Sequence, residues 1–329
     1  MGIIGRLLCF WEFVTGSSLF KRYQRTLESQ RKCGSAFGTP GCDETGRKLL
    51  KPLNPAPEFT EKDLLVEFEQ AQIPLHYKSY YMNKRYNFFA TIRQFSYLWN
   101  CYMLLEKILS RDFEVMMELR DPKLMFPMVL FMNGHAKMRV AFELGSAGCL
   151  SEAYSILRDA IESVAHGNRI AADPALLKPW VEKNDGKTAL EAFKKEFEHN
   201  KAMRLFDGLP ELHRLWRENS EFGSHTNLNS IVERFKIEKT ATHLQYLLNY
   251  CGAEPKIAVM ALFDMIHAFE QMENVIFELC QERLKLDLEL PTMRAQFAQE
   301  KEKVRTHIIQ TYSVQRPVDD GGALRRSLL

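Results

Sequence analysis

Two short stretches of this chain hold residue types able to do chemistry. Ser151 to Ala172 sets Arg158, Glu162, His166 and Arg169 beside an apolar stripe. Arg217 to Asn227, RENSEFGSHTN, offers Arg217, Ser220, Ser224 and His225 in a polar break between two expected helices. A charge at the margin of a packed face is costly unless it is paired or used. His225 follows Gly223-Ser224, where a helix is expected to begin. Free N–H groups at a helix N-terminus favour a neutral imidazole and attract phosphate. An arginine and a histidine beside a phosphate suffice for metal-free RNA cleavage: the imidazole activates the ribose 2′-hydroxyl and the guanidinium stabilises the phosphorane. The sequence therefore nominates His225, Arg217 and Arg158 as catalytic residues. It nominates Arg214, Ser220, Ser224, Glu162 and Arg169 as substrate-binding residues. The competing account is that Ser224 caps a helix and His225 bonds locally.

The elements that must position these residues read as helices. Apolar residues recur at helical intervals over Ser79–Ser110, Met128–Leu144, Ser151–Ala172, Lys187–Phe206 and Asn227–Tyr250. Thr60 opens a helix that ends before Pro74, and a short helix runs from Pro210 to about Phe222. Pro255 opens a long helix to Leu288, and Pro291 starts the last. Pro122 and Pro127 are expected to punctuate a connection. On a wheel centred on Ala153, Leu157, Ala160, Ile161 and Val164 cluster, with Arg158, Glu162 and Arg169 on the flank. Arg139 and Glu143 repeat the four-residue spacing of Arg158 and Glu162, so the two pairs are candidates for one polar seam. Tyr81, Phe88, Phe95, Tyr102 and Leu109 recur every seven residues, with Ile92 and Trp99 between them. That stripe reads as core rather than as a cofactor slot. No alternating β-branched run is evident. The fold class expected is all-α: a helical bundle over 58–312, with an amphipathic basic arm at 1–32, a Gly/Pro-rich linker at 33–57 and a disordered tail at 313–329.

Composition narrows the function. Lys and Arg number 44 against 42 Asp and Glu, a net charge of +2 that gives no strong electrostatic steer. Basic charge is denser in Phe20 to Lys32. The opening GIIGRLLCFWEFV is interrupted by Arg6 and Glu12, and Arg6 stands where a myristoylation signal needs Ser or Thr. This arm is a candidate for lying on a membrane surface or against a partner. Seven cysteines without C-x-x-C fit free thiols in a reducing, cytoplasmic setting. The common NTPase, serine-hydrolase and zinc-protease motifs are missing. Glu196-x-x-His199 and Asp264-x-x-His267, with Glu270 nearby, are too sparse for a di-metal site, so no metal and no cofactor are expected.

The order Leu157-Arg158-x-x-x-Glu162, a charged helix, then Ser220-x-x-x-Ser224-His225 resembles uncharacterised bacterial all-helical proteins related to the HEPN superfamily. The resemblance spans about 126–250. HEPN ribonucleases carry an arginine and a histidine closer together than the seven residues that separate Arg217 from His225 here. The resemblance implies a helical bundle, often a homodimer, with a polar site that binds or cleaves RNA or nucleotide in bacterial defence or stress. It carries Arg158, Glu162 and His225 over as a shared polar site. The alternative is a non-catalytic scaffold that docks through residues 1–32 to a membrane or a partner subunit.

Overall fold

The computed structural model describes residues 69, 71–117, 122–198, 204–221, 235–239, 244–248, 254–284 and 287–312. The expected arm, linker and tail lie outside these residues. The chain divides into a segment Met1–Lys78 and a body Ser79–Leu329. In the first, the described residues turn at Gln72 (φ 51°) and reach Pro74, whose carbonyl accepts from the N–H groups of Tyr77 and Lys78.

Among the described residues there are nine α-helices. They are α1 Leu75–Gln94, α2 Ser96–Met117, α3 Pro122–Ser146, α4 Leu150–Ala172, α5 Leu177–Glu182, α6 Lys187–Phe193, α7 Pro210–Asn219, α8 Pro255–Leu284 and α9 Leu290–Tyr312. The bundle expected from periodicity is present. α8 is its central rod: Val259, Phe263, Ile266, Phe269 and Met272, at steps of three and four, are completely buried. α2 and α4 pack on α8, and α9 covers α2 with Phe297, Val304 and Ile308. α4 buries Ala153, Leu157, Ala160, Ile161 and Val164 as its wheel predicts.

α3 and α4 approach closely because two glycines sit at their contact. A Cβ on Gly167 would stand 2.5 Å from the Phe131 ring, and one on Gly134 would stand 2.9 Å from Val164. Asn133 Nδ2 donates to Ser163 Oγ across the same contact at 2.7 Å. Gly148, at φ 81°, makes the turn between the two helices.

Four expectations about elements need correction. The long helix expected over Ser79–Ser110 is two helices divided at Phe95, a buried residue. Pro127 lies inside α3 rather than in a connection. It is the sixth residue of α3, just past the first turn, so its missing N–H forgoes one intrahelical bond. The charged helix expected over Lys187–Phe206 stops as α-helix at Phe193, continues as a π turn at Lys194–Glu198, and regains order as a 3-10 turn at Arg204–Phe206. The helix expected over Asn227–Tyr250 contains an antiparallel hairpin, β1 Phe235–Lys239 with β2 Leu244–Leu248, in the register Phe235 to Leu248 and Lys239 to Leu244. FKIEK alternates only over Phe235–Glu238 and LQYLL only over Leu244–Tyr246, too short a pattern to tell from a helix.

Candidate functional site

α7 has ten residues, too few for a stable isolated helix. It is held by Leu212 and Leu215, which bury against the body. α7 packs on α4 and on α8. The two stretches that the sequence nominates therefore meet at α4 and α7.

Trp216 makes the junction. Its indole N–H donates to Glu162 Oε1 at 2.7 Å, and Arg158 Nη2 donates to the same oxygen at 3.1 Å. The Arg158 guanidinium carbon lies 5.1 Å from the centroid of the Trp216 ring. One carboxylate oxygen thus holds both an indole and a guanidinium, and the guanidinium lies over the aromatic face. The Arg158 and Glu162 side chains are each 30% exposed, so the pair is neither sealed nor bathed in solvent. Arg158 Nε is buried without a hydrogen-bond partner. Ser220, one turn beyond Trp216, is buried and donates its hydroxyl to the Trp216 carbonyl at 2.8 Å.

On the opposite flank of α7, a chain of polar contacts runs into the bundle. Arg214 Nη1 donates to Glu218 Oε1 at 2.6 Å, and Arg214 Nε donates to Glu211 Oε2 at 2.9 Å. Glu211 Oε1 lies 3.1 Å from Nε2 of His267, a buried residue of α8. His267 Nδ1 lies 2.9 Å from Lys301 Nζ, and Lys301 also bonds Glu270. The hydrogen bonds from Arg214 and His267 pull the Glu211 carboxyl down to about 2. Burial and the Lys301 ammonium oppose charge on His267, but the carboxylates of Glu211 and Glu270 outweigh them and hold the imidazole above its ordinary value.

Arg214 also lines a cavity of about 210 Å³ with Pro210, His213, Arg217, Glu218 and Glu221. Arg217 is exposed and makes no ion pair among the described residues. His213 sits one turn before Arg217 and stacks on Phe206, with ring centroids 5.2 Å apart.

Arg169 is not brought to this site. It lies eleven residues along α4 from Arg158, about 16 Å at the helical rise. There its Nε donates to the Glu196 carbonyl at 3.0 Å, and Nη1 lies 3.5 Å from Asp207. It ties the turns that follow α6 to α4. His166 packs among Trp180, Phe193 and Phe197, where burial and nearby Lys183 push it down to about 4 and keep it neutral. Ser224 and His225 lie outside the described residues. The seam expected between Arg139–Glu143 and Arg158–Glu162 is absent from the described residues. Arg139 bonds Glu106, and Glu143 reaches Lys84 at 3.4 Å, so those charges face α2 and α1 instead.

Sequence reading missed His213, Trp216 and the His267–Lys301 end of the chain. His213 was accessible, because it stands four residues before Arg217 on one helix face. The links from Glu162 to Trp216 and from Glu211 to His267 span 54 and 56 residues, and nothing local announces them. Among the described residues no group of three His, Cys, Asp or Glu is arranged to hold a metal ion. Among them, too, no helix is long and apolar enough to cross a membrane. No family model, curated protein or solved structure matches this chain.

Proposed function

We propose that this is a HEPN-like helical protein that binds RNA or a nucleotide at the exposed side of α7. Arg217 is the phosphate-binding cation, and Arg158 with Trp216 forms the stacking flank. The observation that carries the reading is the shared cavity of His213, Arg214 and Arg217, in which Arg217 has no carboxylate of its own among the described residues. A guanidinium with unoccupied N–H groups beside a cavity large enough for a phosphate group recognises a phosphate by paired, charge-assisted hydrogen bonds. Arg214 contributes less, because Glu211 and Glu218 already hold it.

If the bound RNA is cut, a histidine beside that cation takes the 2′-hydroxyl proton. His213 and His225 are the two candidates, and the reaction requires no metal. The second reading is a scaffold that docks through residues 1–32. It is favoured by the way Glu211, Glu218 and Glu270 are all engaged within the chain.

The test is to titrate a fluorescent single-stranded RNA and a mononucleotide into the full chain and its variants. Binding should fall by about tenfold in Arg217→Ala, and more steeply with salt in the parent than in the variant. Cleavage, where seen, should persist in chelator and vanish in either His213→Ala or His225→Ala. No binding at low salt, or equal binding by parent and Arg217→Ala, removes this reading and leaves the scaffold.

A further inference from the structure

A second cavity of about 550 Å³ lies between α1, α2 and α3, remote in sequence from the α7 site. Each wall is one helix face. α1 supplies Tyr81, Lys84, Arg85, Phe88 and Phe89; α2 supplies Trp99, Tyr102, Met103 and Glu106; α3 supplies Arg139, Phe142 and Glu143. The spacings within each helix are three and four, so each set projects from one side.

The walls are aromatic and already stack with one another. Tyr102 lies flat on Phe142 with centroids 3.9 Å apart, and Trp99 stands edge-on to Phe88 at 6.2 Å. The α1 wall is poorly filled. From Ser79 to Gln94 no residue is buried, although the segment carries three tyrosines and two phenylalanines, and Phe89 is 54% exposed. Aromatic side chains normally bury most of their large apolar area. Three of these rings, Tyr81, Phe88 and Phe89, face a gap that the body does not close.

The charges at the rim do not cancel. Lys84 pairs with Glu143 at 3.4 Å, and Arg139 pairs with Glu106. Glu106 at the floor also bonds His135 at 2.8 Å, so it shows little bare negative charge to the space. Arg85 remains. It lies over the Phe89 ring at 5.9 Å and has no carboxylate partner among the described residues. One cation in excess above an aromatic box fits one negative charge on a flat guest. The size matches small-molecule sites generally.

We propose that this cavity is a binding site for a flat aromatic monoanion of the aryl carboxylate or sulfonate class. The rings enter between Phe88, Trp99 and Phe142, and Arg85 takes the anionic group. This site is independent of the RNA-binding reading, since it shares no residue with α7.

The probe is anilinonaphthalene sulfonate, and the control is the uncharged phenylnaphthylamine. Both are titrated into the full chain, into Arg85→Gln, and into Arg217→Ala. The sulfonate should bind the parent saturably at one site. Arg85→Gln should weaken it by about tenfold, the loss of one charge-assisted contact, while the uncharged probe keeps its affinity. Arg217→Ala should bind the sulfonate as the parent does. Any of three results overturns the proposal: no saturable binding, equal sulfonate affinity in parent and Arg85→Gln, or equal weakening of both probes. Loss of sulfonate binding in Arg217→Ala overturns it too, by placing the anion at α7.

Discussion

Single side chains decide how the α4–α7 site holds together. Trp216 contributes both an apolar ring and one hydrogen bond, and the two contributions separate by mutation. Trp216→Phe keeps most of the ring and leaves Glu162 with Arg158 alone. A hydrogen bond to a charged group is worth roughly 1.5–3 kcal/mol. The expected loss is at the low end of that range, because Glu162 is partly solvated. Urea unfolding of parent and variant measures it, and no change would mean that the indole N–H is idle. Asp112 and Glu273 form a different kind of pair. Both are buried, Arg294 bonds Glu273, and both Asp112 oxygens lack a donor. A proton on one of the two carboxyls removes the repulsion between them. Burial, with Glu273 beside it, pushes Asp112 well above the usual carboxylate range, and burial pushes Glu273 the same way. A carboxyl raised in the folded state binds more protons folded than unfolded. Its stabilisation is complete below the unfolded value near 4 and is lost as pH rises above it toward the folded value. Asp112→Asn keeps a donor without the charge. It should match the parent below about pH 4 and exceed it by at least about 1 kcal/mol at pH 9. Parallel pH dependence of the two proteins would sink the shared-proton account.

At the scale of elements, close approach and breaks matter more than propensity. α3 and α4 lie together because Gly134 and Gly167 leave room that Val164 and Phe131 fill. Phe131 is fully buried and has nowhere to move. Gly167→Ala should improve helix propensity and still destabilise the protein, by about 1–3 kcal/mol, through overpacking. Thermal unfolding reads the sign directly, and a rise in Tm would show that the contact is looser than 2.5 Å implies. The break at Phe95 has the opposite character. It divides the seven-residue aromatic stripe: Phe95, Tyr102 and Leu109 enter the core, Tyr102 with one edge on the cavity, while Tyr81, Phe88 and Trp99 line the cavity. The core expected of the stripe is present at Phe95, Tyr102 and Leu109 and not at Tyr81 and Phe88. The 3.6-residue period cannot distinguish a face against protein from a face against a gap. The hairpin at 235–248 was missed for a related reason, since five-residue segments carry too few repeats to separate period two from helical period.

Across the whole molecule, the polar chain from α7 through α8 to α9 sets a pH window. Glu211, lowered to about 2, stabilises the fold above its unfolded value of 4.5 and loses that contribution as pH falls toward 2. His267, raised above 6.5, stabilises below that value and loses its contribution as pH rises through the folded value. Both are fully present between about pH 4.5 and 6.5, while the Asp112–Glu273 pair declines across that range and beyond it. Stability of the full chain should therefore peak on the mildly acidic side. Glu211→Gln should flatten the profile most on the acid limb, as a series of denaturant midpoints against pH would show. A peak at pH 8 or above would contradict the directions of these shifts. The sequence alone determined that the chain is helical, which face of α4 is buried, and that Arg158 and Glu162 ride its flank. All of that follows from periodicity and i, i+4 spacing, which are properties of one helix. Only the tertiary structure decided that Trp216 joins Glu162, that Glu211 reaches His267, and that Arg85 and Arg217 are left without carboxylates among the described residues. Those outcomes depend on how helices dozens of residues apart are turned toward one another. That rotation is fixed by the fit of Phe131 on Gly167 and its like, not by any local pattern of residues.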